Sequence, residues 1–181
     1  MKKKLYIETS VWNQLEHDDR PEWRETAEKF IATLSRNIYE PYISDIVVRE
    51  IEATKDIALQ KRLVAHINAI SPVILQTNEE VENLTDMYMK AGFAVADSEW
   101  IRTYYRYHNT APVYNGCGKG ENMNYGKAVE EVWEWREAVA KEIQRIPRAK
   151  RAKYLNETAL RACKKLGLKC KVSPRRVKEH A

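Results

Sequence analysis

The sequence predicts an α/β fold in which a parallel sheet with flanking helices is cut short and followed by a helical C-terminal extension. Three observations carry this prediction. Short apolar runs at Leu5-Tyr6-Ile7, Pro41-Tyr42-Ile43 and Pro72-Val73-Ile74-Leu75 have the length and composition of buried parallel strands. Amphipathic helical stretches lie between them, giving the order strand, helix pair, strand, helix pair, strand, helix. From Lys127 onward the apolar period is helical alone.

The first run stops at Glu8, and Thr9 or Ser10 can accept the free N–H groups of a new helix carrying Val11, Trp12 and Leu15. The motif is strand, acid, cap, helix. In an open α/β sheet the carboxyl ends of the strands face the ligand crevice, so Glu8 stands where chemistry would occur. The alternative is a solvated Glu beside a helix N-terminus. Pro21 and Glu22 start a second helix, whose stripe is Trp23, Ala27, Phe30, Ile31 and Leu34.

After the second strand, Ser44 or Asp45 caps a helix beginning with Ile46, Val47 and Ile51. Glu50 falls on the same face as Ile46 and Val47, while Glu52 points away. A carboxylate on the buried side of a helix is costly unless it is paired, protonated or bound to a cation, which makes Glu50 the second candidate. The alternative is a boundary Glu whose head reaches water. Asp56 starts the next helix with Leu59, Leu63, Ile67 and Ile70, and Asn78 caps another with Val81, Leu84, Met87 and Tyr88.

Charge divides unevenly along the 181 residues. Residues 1–92 hold 12 Lys and Arg against 16 Asp and Glu, whereas residues 93–181 hold 19 against 10. Such a split fits an acidic part paired with a basic part, or a basic tail that meets nucleic acid. No apolar run is long enough to cross a bilayer, so a cytoplasmic protein with no membrane partner is expected. Cys117, Cys163 and Cys170 include no CxxC pair, which indicates reduced thiols rather than a disulfide framework or a zinc site.

The segments KKLYIETSVWNQL, PYISDIVVREIE and SPVILQTNEEVENLTDMYMKAG together resemble the first half of a PIN domain. The likeness is to the small VapC-like toxins of toxin–antitoxin pairs and covers about residues 1–92. It implies a metal-dependent endoribonuclease whose acidic residues hold Mg²⁺ or Mn²⁺ at the carboxyl end of the sheet. By position, Glu8 and Glu50 match two of the family's acids, and Asp97 in Ala96-Asp97-Ser98 stands at a plausible distance for a third. Hard divalent cations prefer oxygen ligands, so convergent carboxylates suit them. The resemblance therefore assigns Glu8, Glu50 and Asp97 as catalytic and metal-binding residues, with RNA as substrate and a homo-oligomer as the expected assembly.

Past Ser98 the chain departs from the family pattern. Residues 99–125 are rich in Tyr, Asn and Gly without helical or strand period, and Gly116-Cys117-Gly118-Lys119-Gly120 lacks the spacing of a phosphate loop. These residues are expected to be an irregular linker after an incomplete domain at 1–98. From Lys127, Val129, Val132, Val139, Ile143 and Ile146 form an amphipathic stripe interrupted by Arg136, with Trp133 and Trp135 flanking it. Pro147 ends that helix, and Arg148 to Leu166 forms another, closed by Gly167.

Residues 126–181 resemble a small helical antitoxin with a basic tail, for which Met123 can be the start. The chain then reads as a fused or frameshifted toxin–antitoxin pair, with the cognate partner in cis or on a separate chain. In antitoxins of this kind a cation near the acidic site is common, and Arg175, Arg176 and Lys178 are the candidates for that autoinhibitory or nucleic-acid-binding role. A different class of function is a non-catalytic protein- or nucleic-acid-binding module that uses the basic C-terminal arm.

Overall fold

A computed structural model of the chain describes residues 2–34, 36, 38–79, 81–83, 87, 126–169 and 171–172. The expected linker at 99–125 lies outside them. Three parallel strands, β1 (Lys3–Tyr6), β2 (Tyr39–Ser44) and β3 (Val73–Leu75), pair in sequence order. Leu5 stands opposite Pro41, and Ile43 opposite Ile74. Ile7 extends the pairing by donating to the Tyr42 carbonyl at 2.8 Å.

The crossovers are helical, as the period predicts. Helices α1 (Thr9–Gln14) and α2 (Pro21–Leu34) connect β1 to β2, and α3 (Asp45–Glu52) and α4 (Ile57–Ile70) connect β2 to β3. Ser44 caps α3 by accepting from Val47 N at 3.2 Å, and Asp56 caps α4 by accepting from Ala58 N at 2.8 Å. Asn78 accepts from Val81 N at 3.0 Å, the contact expected of a cap after β3.

Helices α5 (Lys127–Gln144) and α6 (Arg148–Leu166) form a hairpin on the same body. Gly126 precedes α5 at φ 76°, and a Cβ there would stand 2.9 Å from Arg20 Cγ and from Asp19 Oδ2. Position 126 therefore requires glycine on both conformational and steric grounds. Gly167 closes α6 in the left-handed region, as expected from sequence.

One apolar core joins the two halves of the chain. Trp12, Ile43, Ile51, Leu63 and Ile67 from the N-terminal elements pack in one cluster with Val132 and Trp135 of α5 and Ala159 and Ala162 of α6. A smaller cluster brings Ile46 of α3 against Val139, Ile143 and Leu155. The stripe on α5 is thus realised, but Trp135 lies in its centre while Val129 and Ile146 are only half-buried.

The sheet gains a fourth strand from the region expected to be a basic tail. Strand β4 (Lys171–Val172) runs parallel to β3, with Val73 opposite Lys171 and Ile74 opposite Val172. Its strand order is β1-β2-β3-β4. Among the described residues, no helix is long and apolar enough to cross a membrane.

A buried carboxylate pair that shares one arginine

The chain leaves β1 at Ile7, and the next residue is still extended, with Glu8 at φ −88° and ψ 158°. Its carboxylate turns back onto α1, where Oε2 accepts from Ser10 N at 2.9 Å and from the Ser10 hydroxyl. Glu8 is therefore the helix cap. This corrects the expectation that Thr9 or Ser10 would cap: the last extended residue is the one whose side chain reaches the free N–H groups. Thr9 is released for another task, and its hydroxyl donates to Glu50 Oε2.

Glu50 is 4% exposed on the inner side of α3, as its place beside Ile46 and Val47 predicts. Glu8 and Glu50 thus converge from the crossovers that follow two neighbouring strands. Between them lies the guanidinium of Arg136 from α5. Its Nη2 is ion-paired with Glu8 Oε1, and its Nε stands 3.4 Å from Glu50 Oε1. Burial pulls the Arg136 pKa down to about 10, still far enough above neutrality for the guanidinium to carry its charge.

A tyrosine and a serine flank this arrangement without adding charge. The Tyr6 hydroxyl lies 3.1 Å from Ser44 Oγ, and burial pushes its pKa well above the ordinary phenol value, so it is a neutral hydrogen-bonding group. A further acid, Asp45, is 1% exposed. It accepts from Ile46 N at 2.9 Å, from Thr77 N at 2.8 Å and from the Thr77 hydroxyl at 2.9 Å. Asn156 of α6 donates to the Thr77 carbonyl at 2.9 Å. Asp45 consequently ties α3 to the segment after β3, which is a structural role.

Helix α5 is fastened on both sides of Arg136. On the N-terminal side, Asn13 donates to the Ala128 carbonyl at 2.9 Å and to Glu131 Oε2 at 3.0 Å, and His17 Nε2 lies 2.9 Å from the same carboxylate. Toward the C-terminus, Arg49 Nη2 donates to both oxygens of Glu142 at 2.7 Å. Two fixed points about three helical turns apart leave little freedom for the arginine between them.

Glu8 and Glu50 are therefore brought to one guanidinium. Asp97, Arg175, Arg176 and Lys178 lie outside the described residues. Among the described residues the cation at the acids is Arg136, whose signal in the sequence is the break it makes in an otherwise apolar stripe. Chemically, two convergent carboxylates could offer two oxygen ligands to a hard divalent ion. Among the described residues no group of three or more His, Cys, Asp or Glu side chains is gathered to hold a metal ion. A third ligand would have to come from elsewhere in the chain, the substrate or water. No protein-family model matches the chain, nor does any curated protein or solved structure.

Proposed function

We propose that this chain is a PIN-type, Mg²⁺- or Mn²⁺-dependent endoribonuclease of a toxin–antitoxin system, fused to its antitoxin-like arm and held inactive by it. The observation that carries this proposal is Arg136 of α5 lodged between Glu8 and Glu50. Strand, acid and helix follow one another after β1, and a buried acid recurs on the helix after β2, which is the pattern behind the PIN resemblance. The divalent ion, when bound, supplies an activated water and neutralises charge at the scissile phosphate. Glu8, Glu50 and Asp97 would hold it.

The chain's own groups set the competition. Ser10 fixes the Glu8 carboxylate and Thr9 fixes that of Glu50, so both are aimed before any cation arrives. Arg136 neutralises both acids and occupies the space between them. A divalent cation must displace the guanidinium, and the ties through Glu131 and Glu142 oppose its departure.

The test is Mn²⁺ or Mg²⁺ binding by titration calorimetry, with RNA cleavage measured in parallel. Arg136→Ala is expected to bind the ion at least ten-fold more tightly than the intact chain and to gain cleavage, and adding Glu8→Gln is expected to abolish both gains. No binding in any of the three proteins would overturn the nuclease assignment. That outcome would favour a non-catalytic module, for which the fully paired Glu8–Arg136–Glu50 cluster is a structural ion triad.

A further inference from the structure

The two helices of the hairpin carry opposite charge. Helix α5 holds five Glu against three Lys and Arg, whereas α6 holds seven Lys and Arg against a single Glu. Some of the α6 cations work for the fold: Arg148 donates to Asn83 Oδ1, Arg151 to the Ile146 carbonyl at 3.0 Å, and Lys165 to Glu52 Oε1 at 3.2 Å. The others have a different address.

Lys150, Lys153, Arg161 and Lys164 are all exposed and recur at intervals that keep them on one side of the helix, opposite buried Leu155, Ala159 and Ala162. Among the described residues, Lys153 pairs with Glu157 at 3.8 Å. Lys150, Arg161 and Lys164 carry no ion pair among the described residues. The result is a straight basic ridge about 20 Å long, at 1.5 Å of rise per residue.

We infer that this ridge on α6 is a docking track for the phosphate backbone of an RNA strand. The inference rests on the ribonuclease reading for its choice of nucleic acid and on the ridge itself for its chemistry. A repeating line of cations with one weakly paired acid complements a repeating line of phosphates. A lipid surface fits poorly, because the apolar face of α6 is spent in the core and Leu160 alone is a large exposed hydrophobic residue on the helix. A folded protein partner fits poorly as well, since Tyr154, the aromatic side chain of α6 beside the ridge, is half-buried with its hydroxyl donating to Glu142 rather than free as an anchor.

Fluorescence anisotropy of a labelled single-stranded RNA of about 20 nucleotides, in EDTA to prevent cleavage, tests the inference. The full chain is compared with Lys150→Glu/Arg161→Glu/Lys164→Glu and with Lys29→Glu/Lys61→Glu, which reverses two exposed lysines elsewhere. Circular dichroism checks that each is folded. The ridge variant is expected to lose at least ten-fold in affinity and to lower the log–log salt slope by about 2, while the control variant binds as the full chain does. Equal RNA binding by ridge and control variants overturns the inference, as does equal binding of the full chain to single-stranded DNA or to anionic phosphatidylserine vesicles. The outcome is separable from the nuclease assignment: anisotropy in EDTA reads the ridge without metal or cleavage, and ion binding by Arg136→Ala reads the acidic site without RNA, so either idea can fail without the other.

Discussion

Arg136 Nε lies 3.4 Å from Glu50 Oε1, and the other arm of the same guanidinium pairs with Glu8. One cation from the C-terminal hairpin thus neutralises two acids from the N-terminal crossovers, all three largely removed from water. Removing one member of such a buried set leaves uncompensated charge and typically costs about 3–5 kcal/mol. Arg136→Met is expected to lower the denaturant midpoint accordingly. Adding Glu8→Gln and Glu50→Gln is expected to return a large part of the loss, because groups in one network do not act additively. Additive losses in urea titrations would show that the three residues do not form one network.

Asp45 is expected to be important for folding. Its carboxylate accepts three hydrogen bonds, two of them from Thr77, so Asp45→Ala would strand a buried Thr77 N–H. A loss of about 3 kcal/mol is expected, against about 1 kcal/mol for Thr77→Val, which keeps the backbone donor paired. Both values follow from denaturant titration, and equal small effects would remove Asp45 from the framework.

Acid stability should depend on Glu16. Burial alone would raise its pKa from the ordinary 4.5, but hydrogen bonds from Arg62 and His66 outweigh that and hold it below. A depressed carboxylate contributes stability that is fully present above about pH 4.5 and is lost as the pH falls through the lower folded value. Glu16→Gln is therefore expected to cost about 1 kcal/mol at pH 7 and to flatten the stability profile below pH 4.5, with Arg62 exposure and salt keeping the effect small. Thermal melts from pH 3 to pH 7 measure it.

Cys163 should react slowly with thiol reagents. Burial pushes its pKa up to about 11, so the nucleophilic thiolate is scarce at pH 8. With Cys117 and Cys170 replaced by Ser, the native chain is expected to react with an aromatic disulfide at least ten-fold more slowly than the urea-unfolded chain. Equal rates would mean that α6 exposes the sulfur.

Much of the scaffold was legible from residue spacing, since the strands, the α3 and α4 caps, the αL end at Gly167 and the inward aspect of Glu50 all depend on local pattern. What was not legible depended on partners far along the chain. A break in an apolar stripe announces that Arg136 is unusual without saying which acids it meets. Glu8 as cap was missed because hydroxyl residues followed it, and their better intrinsic standing as caps yielded to the geometry of the strand's last residue. Strand β4 was unreadable because two exposed residues, one of them a lysine, have no period, and only the edge of β3 makes them a strand.

The pairing of β3 with β4 also has a consequence in time. The edge that Val73 and Ile74 offer is covered by Lys171 and Val172, which leave the ribosome long afterwards. At about 5–20 residues per second the interval is on the order of several seconds. Until residues 132–136 emerge, for more than half of it, Glu8 and Glu50 exist without Arg136, and Trp12 and Ile51 without the Val132 and Trp135 that later share their core. The nascent chain therefore passes through an acidic, open-edged stage before it becomes neutralised and closed, and a chaperone or divalent ion meeting it then encounters a different surface from the one the finished fold presents.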